Sequence, residues 1–362
     1  MARTSKAAQV SVHALPATDA IAKFDTFGAI VDARSEGEYA EDHLPGALNW
    51  PSLDNEQRVR VGTLYKQVSP FEAQKIGAAL VARNIANHIE REVLDKPKSW
   101  QPLIYCWRGG KRSNALATVL GQIGFRVQVL EGGYKAFRAA MLADLPQQVA
   151  RLHFRVVCGP TGSGKTRLLR ALIDAGAQVL DLEELANHRS SVLGMIPGRA
   201  QPTQKRFETL VWDALRRFEP SRPVFVEAES KKVGNLAVPH SLMLAMRESP
   251  CLLLRLADDE RVRLLMEDYA FFARDIEFFC HRLDALAVLR SKAVVDGWKE
   301  QARSGQIEQV VLHLLERHYD PGYAESTRRN FSRFADAVVL QAPDRSVQAM
   351  RALAQALVAA DT

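Results

Sequence analysis

Two short segments of this 362-residue chain have residue types and spacing that could carry out chemistry. The first surrounds Cys106 with glycine and basic residues. The second begins about fifty residues later and runs from Gly159 to Thr166, with the spacing of a complete phosphate-binding loop. A reactive thiolate and a bound di- or triphosphate together restrict the function more than either site alone.

The cysteine loop could hold an ionised thiol. A free cysteine has a pKa of about 8.5 and attacks only as the thiolate, so the loop must favour the charged form. Glycines let backbone N–H groups turn towards an anion, and a helix predicted to start near Ser113 would point its positive end at the loop. We predict Cys106 as the catalytic residue. The supporting cations and glycines are Arg108, Gly109, Gly110, Lys111 and Arg112.

The spacing from Cys106 to Arg112 fits two chemistries. One is cleavage of a phosphate ester through a cysteinyl-phosphate. The other is carriage of sulfur or selenium as a persulfide or selenosulfide. The loop alone leaves both open, and the flanking sequence must decide between them.

The phosphate-binding loop follows an apolar strand and opens a helix, which is the context that the motif requires. Lys165 would neutralise phosphate charge, and the Thr166 hydroxyl could contact Mg²⁺. Acidic residues follow the next strands and could hold a metal through water or simply start helices: Asp181, Glu183, Glu227 and Glu229. The predicted phosphate-binding residues are Gly159, Thr161, Gly162, Ser163, Gly164, Lys165 and Thr166.

A polar, basic stretch between residues 187 and 208 is too long for a simple connection. Such a segment beside a phosphate site is typical of a substrate-binding lid, although a solvated excursion has the same composition. The predicted RNA or substrate contacts of this lid are His188, Arg189, Arg199, Gln201, Gln204, Lys205 and Arg206.

Hydrophobic periodicity predicts an α/β fold with two domains, 1–140 and 141–362. In the first, a helix over 113–124 separates two of three short strands, and a connecting helix over 136–149 is broken at Pro146. In the second, strands and helices alternate up to residue 256, and 258–318 is helical almost throughout. The predicted strands cover 29–33, 102–106, 126–130, 153–158, 178–182, 224–227, 252–256 and 338–341. Further helices are predicted over 165–175 and 344–360.

Composition is that of an ordinary globular protein, with 47% hydrophobic and 25% charged residues. No apolar run approaches the ~20 residues of a membrane span, so we expect a cytoplasmic protein without a membrane partner. The net charge of +6 permits nucleic-acid binding without showing it. Cys158, Cys251 and Cys280 are predicted to be small buried hydrophobes. No metal-ligand set is predicted from the cysteines and histidines.

The flanks of the cysteine loop resemble the rhodanese family. Val31–Arg34 with His43–Pro51 resembles its first signature, and Leu130–Phe137 resembles its second. Asp42 stands where that pattern has glycine, which we expect to alter only a turn. Asp32, Arg34 and His43 are predicted to be structural, with the charged groups pinning the ends of strands. The resemblance implies a rhodanese-like parallel-sheet domain. The phosphate-binding loop and the strands and helices around it predict a following P-loop NTPase-like α/β domain with a helical C-terminal part.

Further motifs resemble the bacterial tRNA 2-selenouridine synthase family over nearly the whole chain. They are Arg58–Lys66, His188-Arg189, Gln201-Pro202-x-Gln204 and His318–Tyr323. This resemblance implies a transferase acting on wobble 2-thiouridine in the anticodon region of tRNA. It first geranylates the sulfur with geranyl diphosphate, and it then replaces the geranylthio group with selenium from selenophosphate. No tightly bound cofactor is implied, and Mg²⁺ could accompany the diphosphate.

In that chemistry the phosphate-binding loop would cradle the departing diphosphate, and Cys106 would carry selenium or take up the displaced group. The main alternative is an ATP-dependent tRNA sulfurtransferase or kinase with a rhodanese module. A third is a nonenzymatic tRNA-binding protein, which the intact cysteine loop argues against. RNA-stimulated ATP hydrolysis would favour the main alternative, whereas binding of geranyl diphosphate without ATP hydrolysis would favour geranyl transfer.

Overall fold

The structure is a computed structural model that describes residues 12–189, 198–287 and 289–360. The chain divides into two compact units, Met1–Leu145 and Pro146–Thr362. Each unit has a five-stranded parallel sheet with helices in the connections, as the alternating pattern predicted.

The first unit is built on strands that all run parallel: β1 (Val12–Leu15), β2 (Ala29–Asp32), β3 (Leu48–Asn49), β4 (Pro102–Tyr105) and β5 (Val127–Leu130). Their order in the sheet is β1-β5-β4-β2-β3. The helices are α1 (Ala17–Ala22), α2 (Glu36–Glu41), α3 (Asn55–Gln67), α4 (Pro70–Glu92), α5 (Lys111–Ile123) and α6 (Gly133–Ala150). The three predicted strands and the helix after Cys106 are confirmed. Strands β1 and β3 and helices α3 and α4 were not predicted.

A buried ionic network joins the strand ends of this unit. The Arg34 guanidinium lies 2.6 Å from an Asp32 carboxylate oxygen, and the Tyr105 hydroxyl donates to the same carboxylate over 2.7 Å. Arg34 also donates to the Asp42 carbonyl over 2.6 Å. The structural interpretation of Asp32 and Arg34 is therefore confirmed. The His43 ring packs flat against Tyr39 with ring centroids 3.8 Å apart, also a structural contact.

Asp42 does more than alter a turn. Its buried carboxylate accepts a 2.8 Å hydrogen bond from the Tyr134 hydroxyl. Its other carboxylate oxygen accepts the His43 backbone N–H over 2.9 Å. The residue that departs from the rhodanese pattern thus ties the first signature to the second.

The predicted helix break at Pro146 is wrong. Helix α6 continues through the proline to Ala150. A proline removes one backbone donor, but the helix buries Met141, Leu145 and Val149 at four-residue intervals. This continuous apolar stripe spans the proline and favours one helix over two. The division between the two compact units falls inside it.

The second unit contains strands β6 (Phe154–Cys158), β7 (Gln178–Leu180), β8 (Val224–Glu227), β9 (Lys232–Val233), β10 (Leu236–Ala237), β11 (Cys251–Arg255) and β12 (Val338–Gln341). The parallel sheet has the order β12-β11-β6-β8-β7, and β9 and β10 form a separate antiparallel hairpin. The five strands predicted here are all confirmed, with ends that shift by at most two residues.

The helices that connect and follow these strands are α7 (Lys165–Asp174), α8 (Leu182–Ala186), α9 (Gln204–Arg217), α10 (His240–Glu248), α11 (Asp258–Asp268), α12 (Ala270–Arg274), α13 (Ile276–Leu283), α14 (Lys292–Arg303), α15 (Ile307–Leu314), α16 (Asp320–Asn330) and α17 (Val347–Ala360). A π-helical turn, Leu315–Tyr319, joins α15 to α16. The predicted helical character of 258–318 is confirmed. In the described ranges no helix is long and apolar enough to span a membrane. Cys158, Cys251 and Cys280 are buried and free, as predicted.

The Asp32–Arg34 pair generates a stability prediction. Asp32→Ala should lower the free energy of unfolding by about 3–5 kcal/mol, because it leaves a buried guanidinium without its carboxylate. The exposed pair Lys75–Glu72 supplies the control, and Lys75→Ala should cost less than about 1 kcal/mol. Urea denaturation measures both. Equal losses for the two variants would contradict the assigned role of the buried network.

Candidate functional site

Cys106 follows the central strand β4 and opens the loop that leads into α5. Its side chain is buried, with the sulfur 3.2 Å from the Ser113 hydroxyl oxygen. The Gly110 backbone N–H donates to the same sulfur over 3.3 Å. The loop therefore surrounds the sulfur with hydrogen-bond donors, which is the arrangement that stabilises a negative charge.

Hydrogen bonding lowers the pKa of the Cys106 thiol below its ordinary value. Burial opposes ionisation, but bonds from Ser113 and from the backbone N–H groups of Gly110 and Arg108 outweigh it. Of the three predicted contributions, hydrogen-bond donation by the loop is the one observed at the sulfur. Arg112 forms a 2.7 Å ion pair with Glu38, while Arg108 and Lys111 are exposed. The loop's hydrogen-bond donors, with Ser113 foremost, account for the lowered pKa.

Two glycines let the cysteine loop and the β5–α6 turn approach closely. Gly109 has φ +65°, and a Cβ there would lie 2.8 Å from the Leu130 carbonyl oxygen. Gly133 has φ +58°, and its Cβ would lie 2.2 Å from the Cys106 carbonyl oxygen. A side chain at either position would force the loop apart. The second rhodanese signature therefore shapes the backbone around the cysteine.

The phosphate-binding loop connects the central strand β6 of the second sheet to α7. The Lys165 ammonium donates to the Gly159 carbonyl over 2.6 Å and to the Pro160 carbonyl over 3.3 Å. Burial lowers the pKa of Lys165 from its ordinary value, although nearby acids oppose that shift. Gly162 and Gly164 take left-handed conformations with φ +78° and +92°. The predicted loop residues thus come together around one turn.

Acidic side chains lie near Lys165. The Thr166 hydroxyl donates to Glu183 over 3.3 Å, and burial raises the pKa of Glu183 to about 7. Glu227 accepts the Glu183 backbone N–H over 2.8 Å, and burial raises its pKa well above the ordinary value. Within the described ranges its second carboxylate oxygen is buried and has no hydrogen-bond partner. Asp181 instead caps α8 by accepting the Glu184 N–H over 2.8 Å.

The fit of these oxygens to a metal is partial. No group of three or more histidine, cysteine or acidic residues in the described parts of the chain could hold a metal ion. Thr166 and Glu183 nevertheless place a hydroxyl and a carboxylate beside the loop. This suits Mg²⁺, which usually takes one or two protein ligands and completes its shell with phosphate and water.

Sequence reasoning missed two residues that hold the phosphate-binding loop. The Tyr323 hydroxyl accepts the Gly159 N–H over 2.6 Å, and its ring centroid lies 5.6 Å from the Lys165 nitrogen. Arg261 donates to the Thr161 carbonyl over 2.7 Å and to Asp320 over 2.6 Å. The segment His318–Tyr323 was noticed as a family motif. Only the structure shows that its Asp320 and Tyr323 support the loop.

The lid residues separate into different environments. Arg189 donates to the Asp268 carbonyl over 2.7 Å and lies over the Tyr269 ring at 4.7 Å. Arg199 is exposed and pairs with Glu184 over 3.1 Å. The His188 Nδ1 is buried without a hydrogen-bond partner in the described ranges, and burial lowers the pKa of its ring. Residues 190–197 of the predicted lid lie outside the described residues.

The two glutamines of the lid hold the β9–β10 hairpin. The Gln201 amide donates to the Val233 carbonyl over 3.0 Å and accepts the Asn235 N–H over 2.9 Å. Gln204 makes the corresponding pair of bonds with Ala237, over 2.9 Å and 2.8 Å. Their amides thus position protein backbone, which the sequence did not predict.

The predicted loop also ends earlier than expected. Thr203 caps α9, so Gln204, Lys205 and Arg206 lie in the first turn of that helix rather than in an open lid. Thr203 accepts the Arg206 backbone N–H over 3.1 Å, which is the usual contact of a threonine at a helix start.

The geometry around Cys106 predicts which change raises its pKa. Ser113→Ala should reduce the thiolate fraction near neutral pH roughly tenfold, because a hydrogen bond to a charged group contributes about 1.5 kcal/mol or more. Arg112→Gln should have a smaller effect, since its charge is paired with Glu38. The measurement is the pH dependence of Cys106 alkylation, followed by peptide mass spectrometry. A larger effect from Arg112→Gln would restore the cation-based explanation.

Known proteins share both units. A family model described as the rhodanese-like domain matches residues 16–140. A model described as the tRNA 2-selenouridine synthase AAA domain matches residues 152–282. A tRNA 2-selenouridine synthase from Marinobacter nauticus is 32% identical over 326 residues, covering 81% of this chain and 87% of the relative. One from Sulfurovum sp. is 32% identical and covers 84% and 90%, and one from Pseudomonas putida is 33% identical and covers 82% and 86%.

The two family models cover the cysteine loop and the phosphate-binding loop, and these relatives match more than four-fifths of the chain. The chain belongs to the tRNA 2-selenouridine synthase family.

Proposed function

We propose that this protein is a tRNA-modifying transferase that converts wobble 2-thiouridine to 2-selenouridine through S-geranyl-2-thiouridine. The co-substrates are geranyl diphosphate and selenophosphate, and no tightly bound cofactor takes part. The observation that carries the proposal is the presence of two anion-binding loops of different chemistry. One holds a thiol of lowered pKa, and the other holds a half-buried lysine at the start of a helix.

In the first reaction, the sulfur of 2-thiouridine attacks the first carbon of the geranyl group. The carbon–oxygen bond to diphosphate breaks, the diphosphate leaves with the bonding electrons, and the nucleobase gives up its N3 proton. The departing charge needs stabilisation, which Lys165 and the positive end of α7 supply. A Mg²⁺ ion on the diphosphate would contact Thr166, with Glu183 beside it, and would add positive charge.

In the second reaction, selenium from selenophosphate replaces the geranylthio group at C2 of the nucleobase. The displaced sulfur leaves as geranylthiol after taking a proton, and water accepts the phosphoryl group as phosphate. No diphosphate leaves in this reaction. We assign Cys106 to this second reaction, because its loop is the one that stabilises a thiolate.

The nucleic-acid partner is the anticodon region of tRNA. The net charge of +6 and the basic residues at and around the start of α9 support this partner. The basic residues proposed to contact phosphates are Arg199, Lys205 and Arg206. Contacts of this kind position RNA without reading its sequence.

Lys165→Ala tests the role of the phosphate-binding loop. Losing one charged contact to the leaving group typically costs about 2–4 kcal/mol, so geranylation should slow by roughly a hundredfold or more. Conversion of previously geranylated tRNA should slow much less. Purified protein, synthetic tRNA and nucleoside mass spectrometry give both rates, with the exposed Lys292→Ala as control.

The outcome that would contradict this assignment is an equal loss of both reactions at unchanged tRNA affinity. The phosphate-binding loop would then serve both steps. ATP hydrolysis stimulated by tRNA, without geranyl transfer, would instead support the sulfurtransferase or kinase alternative.

Cys106→Ala tests the division of labour from the other side. Geranylthiouridine should accumulate at the wild-type rate while selenouridine falls to background, since the thiolate loop acts only in the second step. Cys280→Ala, at another buried cysteine, should leave both products unchanged. Loss of geranylation in a folded Cys106→Ala protein would show that the cysteine loop also takes part in the first reaction.

A further inference from the structure

An apolar recess lies directly beside the phosphate-binding loop. Thr161 belongs to the loop and also forms part of the recess wall. The rest of the wall comes from the helical part of the second unit, including Leu265 on α11, Phe272 on α12 and Val311 on α15. The empty space is about 530 Å³, including part that is open to solvent.

The wall of the recess is almost entirely hydrocarbon and aromatic. The described residues that line it are all uncharged, and the only polar side chains among them are those of Thr161, Tyr269 and Tyr319. The Tyr269 and Phe272 rings are nearly parallel, with centroids 5.8 Å apart and an interplanar angle of 2°. A nucleotide base would leave most of its hydrogen-bonding edge unpaired against such a wall, whereas a branched hydrocarbon would bury apolar surface.

The recess is fixed to the loop by an ionic clamp. Arg261 on α11 contacts the Thr161 carbonyl and Asp320 at once. Asp320 begins α16, directly after the π-helical turn that carries Tyr319. The same arginine therefore joins the loop, the helix that contributes Leu265, and the segment that contributes Tyr319. A ligand with its anionic head in the loop would meet the recess at a fixed distance.

The predicted lid also contacts this wall. Arg189 lies over the Tyr269 ring, at 4.7 Å from its centroid, and donates to the neighbouring Asp268 carbonyl. Tyr269 thus contacts both a cation of the predicted lid and the aromatic cluster of the wall. Arg189, a residue of the predicted lid, therefore contacts this part of the wall.

We propose that the recess holds the hydrocarbon chain of the prenyl diphosphate while the phosphate-binding loop holds its diphosphate. This inference rests on the proposed function and adds the residues that select the donor. The length of chain that the recess accepts sets the choice among donors of five, ten and fifteen carbons. Leu265, Phe272 and Val311 form the specificity wall, and Arg261 is a positioning residue.

Binding tests the recess independently of transfer. The probes are geranyl thiodiphosphate, dimethylallyl thiodiphosphate and inorganic diphosphate, titrated calorimetrically into the full chain. Wild-type protein should bind the geranyl compound more than tenfold tighter than inorganic diphosphate, because apolar surface is buried only with the chain. The dimethylallyl compound should fall between them. Equal affinity for geranyl thiodiphosphate and inorganic diphosphate would overturn the proposal, whether or not the protein transfers a prenyl group.

Filling the recess gives the second test. Val311→Phe and Ala273→Phe each add a ring at the wall, and Ala273 is exposed enough to tolerate the larger side chain. Each should weaken binding of the geranyl compound at least tenfold and leave inorganic diphosphate binding within about twofold. Leu244→Phe adds a comparable ring to an exposed position on α10, outside the recess wall, and should change neither affinity. Circular dichroism confirms folding of each variant.

The outcomes separate the two proposals. Unchanged geranyl binding in both filled variants would place the chain elsewhere and overturn the recess assignment. Tight, recess-dependent binding with no transfer to tRNA would support the recess and contradict the proposed function. Where transfer occurs, the filled variants should lose kcat/KM for geranyl diphosphate more than for dimethylallyl diphosphate. An equal loss for both donors would count against selection by chain length.

Discussion

Both sites depend on the same constraint. In each sheet a central parallel strand must be followed directly by a helix, and the loop between them must be able to bind an anion. Strand β4 leads through the cysteine loop into α5, and strand β6 leads through the phosphate-binding loop into α7. In each case a helix starts at the loop with its positive end towards the site. The same backbone geometry therefore serves the Cys106 thiol in one sheet and the proposed diphosphate site in the other.

The support around each loop differs. At Cys106 the stabilising groups are neutral: the Ser113 hydroxyl and backbone N–H groups. Glycines at 109 and 133 bring a neighbouring turn close enough to fix that backbone. At the phosphate-binding loop the support is ionic and aromatic, because Arg261 and Tyr323 hold the backbone of the loop from outside. The helical part of the second unit therefore builds the site rather than merely extending the fold.

Much of the fold followed from the sequence, because short apolar runs separated by amphipathic helices have few stable arrangements other than a parallel sheet. Helix α3 was not predicted, because it buries none of its side chains and so lacks an apolar face. The continuation of α6 through Pro146 was not predicted, because the local propensity of proline favours a break. The buried apolar stripe of the helix overrides that propensity. The start of α9 was not predicted, because it lies within a polar stretch in which the capping residue, Thr203, is also typical of a loop.

The candidate site was predictable where its residues are adjacent in the chain. The cysteine loop and the phosphate-binding loop are each continuous, so their spacing revealed them. The contacts from Arg261 to Thr161 and from Tyr323 to Gly159 join residues that are 100 and 164 positions apart. The hydrophobic periodicity of the sequence does not predict contacts between residues so far apart in the chain. The recess is composed in the same way, from helices whose apolar faces look in the sequence like ordinary core.

The proposed activity of this chain changes the wobble nucleoside of tRNA. The most direct measurement is nucleoside mass spectrometry of tRNA from cells that carry the gene, lack it, or have it restored. We expect 2-selenouridine to disappear on deletion while 2-thiouridine rises, and the restored gene to reverse both changes. Unchanged wobble nucleosides in the deletion strain, in cells that make selenophosphate and have no second copy, would contradict it.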